Sequence, residues 1–253
     1  MVPQPPAEGS NTDLTRRAEC RGGHTRLATG MTTLGLIGSG RIGGTVARLA
    51  VDAGHDVVLS NSRGPQTLAD LVAELGPRAR AASGAEAAAA GDLVLVSIPL
   101  LAYPSLPASA FAGKTVLDTG NYYPQRDGRI EELESGSLTD SEYLAEYLPG
   151  ARVVKVFNNI FFKHLQNLAR PAGAGDRTYL PIAGDSADAK RSVADFLDSI
   201  GYGTVDGGPL IDGWRQQPGT PVYGTPYGEF ENEKGTPADA VVIRSALAAT
   251  TRM

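Results

Sequence analysis

Residues 34–56 read LGLIGSGRIGGTVARLAVDAGHD. An apolar run (Leu34, Leu36, Ile37) meets Gly38-Ser39-Gly40-Arg41-Ile42-Gly43, and apolar residues at helical spacing (Val46, Leu49, Ala50) follow. A second apolar run, Val57-Val58-Leu59, begins directly afterwards. The pattern predicts strand, glycine turn, helix, strand, which is the opening unit of a dinucleotide-binding sheet. Gly38 permits the tight turn, Gly40 lets backbone approach a pyrophosphate, and Gly43 lets the helix pack close to the strand. The helix N-terminus then offers unpaired N–H groups to the phosphates.

Beyond this unit the same alternation continues. Residues 66–75 (QTLADLVAEL) carry apolar side chains at helical spacing, a weak strand follows near 80–82, and an alanine-rich helix spans 85–90. Residues 92–99 (DLVLVSIP) form a continuous apolar run ending in proline, as expected of a central parallel strand buried on both faces. Further strands are expected at 114–118 and 152–157, with the clearest intervening helix at 140–148. Six strands alternating with helices predict an α/β, Rossmann-type doubly wound parallel sheet. From Ile160 the pattern predicts a small C-terminal α/β unit: helix 161–169, a glycine-rich link, strand 179–183, helix 187–200 and strand 203–206. Residues 213–235 are rich in Gly, Pro and aromatics and read as loop, with a closing helix at 237–249. The expected organisation is therefore a disordered extension over residues 1–30, a nucleotide-binding domain over 31–165 and the small unit over 166–253.

Composition narrows the function. The 253 residues carry a formal net charge of −5 with acidic and basic side chains interspersed, so no basic patch points to nucleic acid or a membrane surface. No apolar run approaches the ~20 residues that span a bilayer. Residues 1–30 lack the apolar segment of a signal peptide. A single cysteine, Cys20, fits a reducing, cytoplasmic setting, and the absence of CxxC and HExxH leaves a zinc site without support.

The end of the second strand selects the dinucleotide. An NAD-binding protein places Asp or Glu there to bond the ribose 2′-hydroxyl. Here the strand runs into Asn61-Ser62-Arg63, an amide, a hydroxyl and a guanidinium without an acid. Those groups suit a 2′-phosphate, which predicts NADP(H) rather than NAD(H).

With GLIGSGRIGG, VVLSNSR, LVSIP and RVVKVFNN in this order, the chain resembles the NADP oxidoreductases that depend on the deazaflavin coenzyme F420. The resemblance covers roughly residues 33–206. It implies that Gly38, Ser39, Gly40, Arg41 and Ile42 hold the pyrophosphate and that Asn61, Ser62 and Arg63 hold the 2′-phosphate. It further implies that Ser97, Ile98 and Pro99 flank the ribose and nicotinamide, and that Asn158 sits near the nicotinamide and the second coenzyme. Asn121, at a neighbouring strand end, is read with the cofactor-binding set. Members of the family resembled usually pair as homodimers and take a small-molecule redox co-substrate. Three segments lie outside the core pattern of the family: the N-terminal extension, residues 121–136 and the region around Trp214.

Ligands in this fold bind beyond the carboxyl ends of the strands. Hydride transfer between two bound coenzymes needs stacked rings and little protein acid–base chemistry, whereas reduction of a carbonyl or imine requires a proton donor. The weak catalytic candidates are Tyr122, next to Tyr123 after the fifth strand, and His164 on the helix after FNN. His55 lies at the opposite end of the sheet and reads as structural, and Asp118 reads as a turn cap. Trp214, Tyr223 and Tyr227 either wall a planar ligand or bury a long loop. Two alternatives remain open: an NADPH-dependent reductase of a small imine, enone or carbonyl, and a non-catalytic NADPH-binding sensor. Against the first, imine reductases carry a large helical domain for which this chain has no room.

Overall fold

The computed structural model describes Met1 and residues 31–251. The expectation of a disordered segment over residues 1–30, with Cys20 and His24, falls outside the described residues but for Met1. Residues 31–251 belong to one compact unit.

Strand β1 (Thr33–Ile37) leads into helix α1 (Arg41–Asp52) and strand β2 (Asp56–Ser60). Helix α2 (Ala69–Leu75), strand β3 (Ala79–Ala81), helix α3 (Gly84–Ala90) and strand β4 (Leu93–Val96) follow. After β5 (Thr115–Asp118) come two short helices, α4 (Pro124–Asp127) and α5 (Glu131–Glu134), then α6 (Asp140–Tyr147) and β6 (Arg152–Lys155). The chain finishes with α7 (Phe162–Asn167), β7 (Tyr179–Gly184), α8 (Ala187–Ser199), β8 (Gly203–Asp206) and α9 (Ala240–Ala248).

All eight strands make one sheet in the order β3-β2-β1-β4-β5-β6-β7-β8. The first six are parallel, as the βα alternation predicts. The crossing from β1 to β4 creates the switch point at which such sheets bind ligands. Strands β7 and β8 extend this sheet: β7 runs antiparallel to β6, pairing Val154 with Gly184, and β8 runs parallel to β7.

Strand periodicity divides the core between the two faces. Leu34, Leu36, Val57, Leu59, Leu93, Leu95 and Val154 pack with residues of α1, α8 and α9. Their alternates Val58, Val94, Val96, Val116 and Val153 pack with α3 and α6 on the other side. His55, just before β2, is buried, with Nδ1 accepting from the Thr32 N–H at 3.2 Å and Nε2 2.8 Å from Ser199 Oγ. It pins the amino-terminal edge of the sheet to α8, a structural role. No helix among the described residues is long and apolar enough to cross a membrane.

Candidate functional site

The glycine turn is held by backbone bonds. Gly38 adopts φ +98° and its N–H donates to Ser60 O at 3.1 Å, while Ser39 Oγ donates to the same carbonyl at 2.9 Å. A Cβ at Gly43 would lie 2.1 Å from Gly38 O, so only glycine lets α1 approach the turn this closely. Gly40 caps α1 with no side-chain bond to the first turn, no acidic side chain stands there, and a Cβ at Gly40 would meet nothing within 4 Å. The first N–H groups of α1 thus face open space with the positive end of the helix behind them, a cradle that fits a diphosphate.

At the end of β2, Asn61 Oδ1 accepts from the Arg63 N–H at 2.9 Å and Asn61 Nδ2 donates to Thr67 Oγ1 at 2.9 Å, which shapes the turn. Ser62 and Arg63 are exposed, and the Arg63 guanidinium has no ion-pair partner among the described residues. This corner lies next to the glycine turn but does not line the cleft described below.

A cleft of about 370 Å³ opens beyond the carboxyl ends of β1, β4, β5 and β6. Of the residues singled out from sequence, Gly40, Arg41, Ile42, Ser97, Ile98, Pro99, Asn121 and Asn158 line it. Gly38 and Ser39 form the turn beneath. Asn121 Nδ2 donates to Asn158 O at 2.8 Å, and Asn158 Nδ2 donates to Asn121 Oδ1 at 3.0 Å and to Gln216 O at 2.7 Å. Asn158 Oδ1 is buried without a partner, an acceptor left over beside the cleft. The preceding residue, Phe157, is buried with φ +64°, a conformation disfavoured for a bulky side chain. That turn ends the expected 152–157 strand early and directs Asn158 into the cleft region.

Residues 33–122 match the family described as NADP oxidoreductase, coenzyme F420-dependent. A solved structure of an uncharacterised protein from Sinorhizobium meliloti is 30% identical, with the match covering 76% of this chain and 93% of that one, at a TM-score of 0.65. The chain belongs to the coenzyme F420-dependent NADP oxidoreductase family. A protein from Arthrobacter sp. FB24, described as a candidate F420-dependent NADP reductase, is 28% identical over 74% of this chain and 88% of that one, with a TM-score of 0.60. An imine reductase from Pseudomonas sp. shares the fold, at 18% identity and a TM-score of 0.51 over 58% of its length.

Two weak catalytic candidates in this NADP-dependent oxidoreductase do not reach the cleft. Tyr122 packs half-buried against the core, and its hydroxyl donates to Gly128 O at 2.9 Å and accepts from the Ile130 N–H at 3.0 Å. His164 is fully buried, its Nε2 2.8 Å from Asn232 O beneath the loop that carries Phe230. Asp118 is buried as a turn cap, with Oδ1 accepting from the Gly120 N–H at 2.8 Å and Oδ2 from Ser141 Oγ at 2.6 Å.

The neighbour Tyr123 lines the cleft instead, and its hydroxyl lies 2.5 Å from that of Tyr223. Tyr227 is wholly buried and anchors the long loop. Phe161, Phe162 and Phe230 form an aromatic wall, with Phe161–Phe162 and Phe161–Phe230 ring centroids 4.7 and 5.2 Å apart. Arg41 lies over the Phe162 ring at 5.3 Å. Sequence reading placed the two phenylalanines at a helix start, because helical spacing alone does not tell a cleft wall from a packing face.

Sequence reading also missed Lys155. It is fully buried, and its Nζ donates to Gly120 O at 2.9 Å and to Ser141 Oγ at 3.3 Å, with Asp140 Oδ2 at 3.9 Å. Burial holds the Asp140 carboxyl above the usual carboxylate range, while the Lys155 ammonium favours its charged form. Asp118 and Lys155 thereby grip the two sides of residue Gly120, which lines the cleft. No signal in VVKVF distinguished this lysine from a strand-end surface residue.

Proposed function

We propose that the protein transfers a hydride between NADPH and the deazaflavin coenzyme F420. The observation that carries this reading is the continuity of the cleft, from the uncapped start of α1, past Pro99, to an aromatic-walled end over β5 and β6. Such a space accepts two flat rings in contact, the geometry that hydride transfer demands. Bound NADPH supplies the hydride.

The protein's own groups bind and orient. Asn61, Ser62 and Arg63 hold the 2′-phosphate, and the α1 N-terminus with Arg41 and Ile42 holds the pyrophosphate. Ser97–Pro99 and the Asn121–Asn158 pair fix the nicotinamide end, with the unpartnered Asn158 Oδ1 free to accept from a carboxamide N–H. Residues 166–253 supply the far wall through Tyr223 and Phe230. A reducing, cytoplasmic compartment suits the lone Cys20.

The test is NADPH oxidation with F420, FMN, riboflavin and a panel of imines, enones and carbonyls. Turnover with F420 in clear preference to the others is expected. Turnover with an imine or enone alone, or tight NADPH binding with no turnover on any acceptor, would overturn the proposal.

A further inference from the structure

The two cleft-facing tyrosines stand on the segments that lie outside the core pattern of the family. Tyr123 belongs to residues 121–136 and Tyr223 to the region after Trp214, a hundred residues on. Both residues line the cleft, and their hydroxyls meet at 2.5 Å in a partly buried setting. Two phenols joined by one hydrogen bond use one of their two protons, and neither hydroxyl has a second partner among the described residues. One donor hydrogen is left over.

Position says what it faces. A dinucleotide held at β2 and β1 brings its nicotinamide to β4, and the order β1-β4-β5-β6 puts the next two strand ends further along the cleft. Tyr123 follows β5, and Tyr223 is bound over the end of β6 through the neighbouring Gly224 N–H, which donates to Asn159 O at 2.9 Å. The Arg126 guanidinium, 5.0 Å above the Tyr123 ring, is itself fixed by bonds of 2.7 Å to Asp127 Oδ2 and Asn121 O, so the ring is held in place. Burial and the Tyr223 hydroxyl push the Tyr123 phenol well above its ordinary value, so it stays a donor throughout the physiological pH range.

We propose that the Tyr123–Tyr223 pair determines acceptor specificity by donating its spare hydrogen to a conjugated oxygen or nitrogen of the hydride acceptor. The class selected is a planar, conjugated acceptor that carries such an atom in its ring plane. This inference rests on the proposed reading of the cleft as the meeting place of NADPH and a second redox partner.

The experiment compares the full chain with Tyr123→Phe, Tyr223→Phe and the double variant, each checked for an unchanged melting temperature. NADPH affinity is titrated by fluorescence, and F420 kinetics are measured at saturating NADPH. The expected result is a loss of about tenfold in kcat/KM for F420 in the single variants, the size of one lost hydrogen bond, with NADPH affinity unchanged. Unchanged F420 kinetics, or NADPH and F420 weakened together as for a simple brace, would overturn the inference. If the wild type turns over only imines or enones, the F420 reading falls. The tyrosine inference then stands on a tenfold loss with that acceptor and falls without it. No turnover with any acceptor would overturn both.

Discussion

Arg63 stands exposed at the end of β2 with no carboxylate among the described residues to neutralise it, beside an Asn61 that shapes the turn. A charge-assisted bond to a phosphate contributes roughly 1.5–3 kcal/mol, and the 2′-hydroxyl of NADH offers no such partner. Arg63→Ala is therefore expected to weaken NADPH binding by about tenfold or more while leaving NADH nearly unchanged, as titration calorimetry would show. Equal losses for both would sink the assignment. At the opposite end of the sheet, His55 is held below its ordinary pKa chiefly by burial, and its Nδ1 is needed as an acceptor for Thr32 N–H. The unfolded chain then takes up the proton first, so stability is full above the unfolded value near 6.5 and falls as pH drops below it. Melting curves should show this acid sensitivity in the wild type and a smaller one in His55→Gln. The structural role of His55 was legible, since a residue just before β2 lies at the end of the sheet away from the cleft. Side-chain direction was not legible: nothing in Tyr122-Tyr123 told which ring packs against the core.

Helix α1 depends on the close approach at Gly43, where an added Cβ would strike the backbone carbonyl of Gly38, which cannot swing aside. Gly43→Ala is expected to cost about 1–3 kcal/mol in denaturant unfolding and to weaken NADPH, because the α1 N-terminus must shift. The contact between β6 and α6 makes the second test at this scale. Asp140 receives Gln217 Nε2 at 2.8 Å and the Tyr122 N–H at 3.1 Å, with Lys155 beside it. Lys155→Met leaves a buried carboxylate and the Gly120 carbonyl without their cation, and a loss of roughly 3 kcal/mol is expected from urea melts. Full stability in that variant would show that the buried charge is dispensable. Element positions were readable from periodicity, since α8, α9, β7 and β8 lie within a few residues of the expected spans. The early end of β6 was not, because a left-handed Phe157 leaves no mark in an apolar run.

At the scale of the whole molecule, one eight-stranded sheet carries both ends of the cleft. The parallel half was foreseeable from alternating strands and helices, with β4 apolar on both faces as a central strand should be. That β7 would turn back beside β6 and carry β8 into the same sheet was not, because strand pairing across a glycine-rich link depends on tertiary contacts rather than local pattern. This continuity brings residues after 200 over the end of β6, where Gly224 bonds Asn159 and Tyr223 meets Tyr123. The glycine turn and the uncapped start of α1 were written in one contiguous motif, whereas the far wall of the cleft is assembled from three distant segments. The most direct test of the account is isotopic: NADPH carrying deuterium on the transferring face of its nicotinamide is mixed with the protein and oxidised F420 under anaerobic conditions. The label is expected in the reduced deazaflavin, appearing in step with NADPH oxidation. Reduction without label, or no reduction while NADPH remains bound, would contradict this expectation.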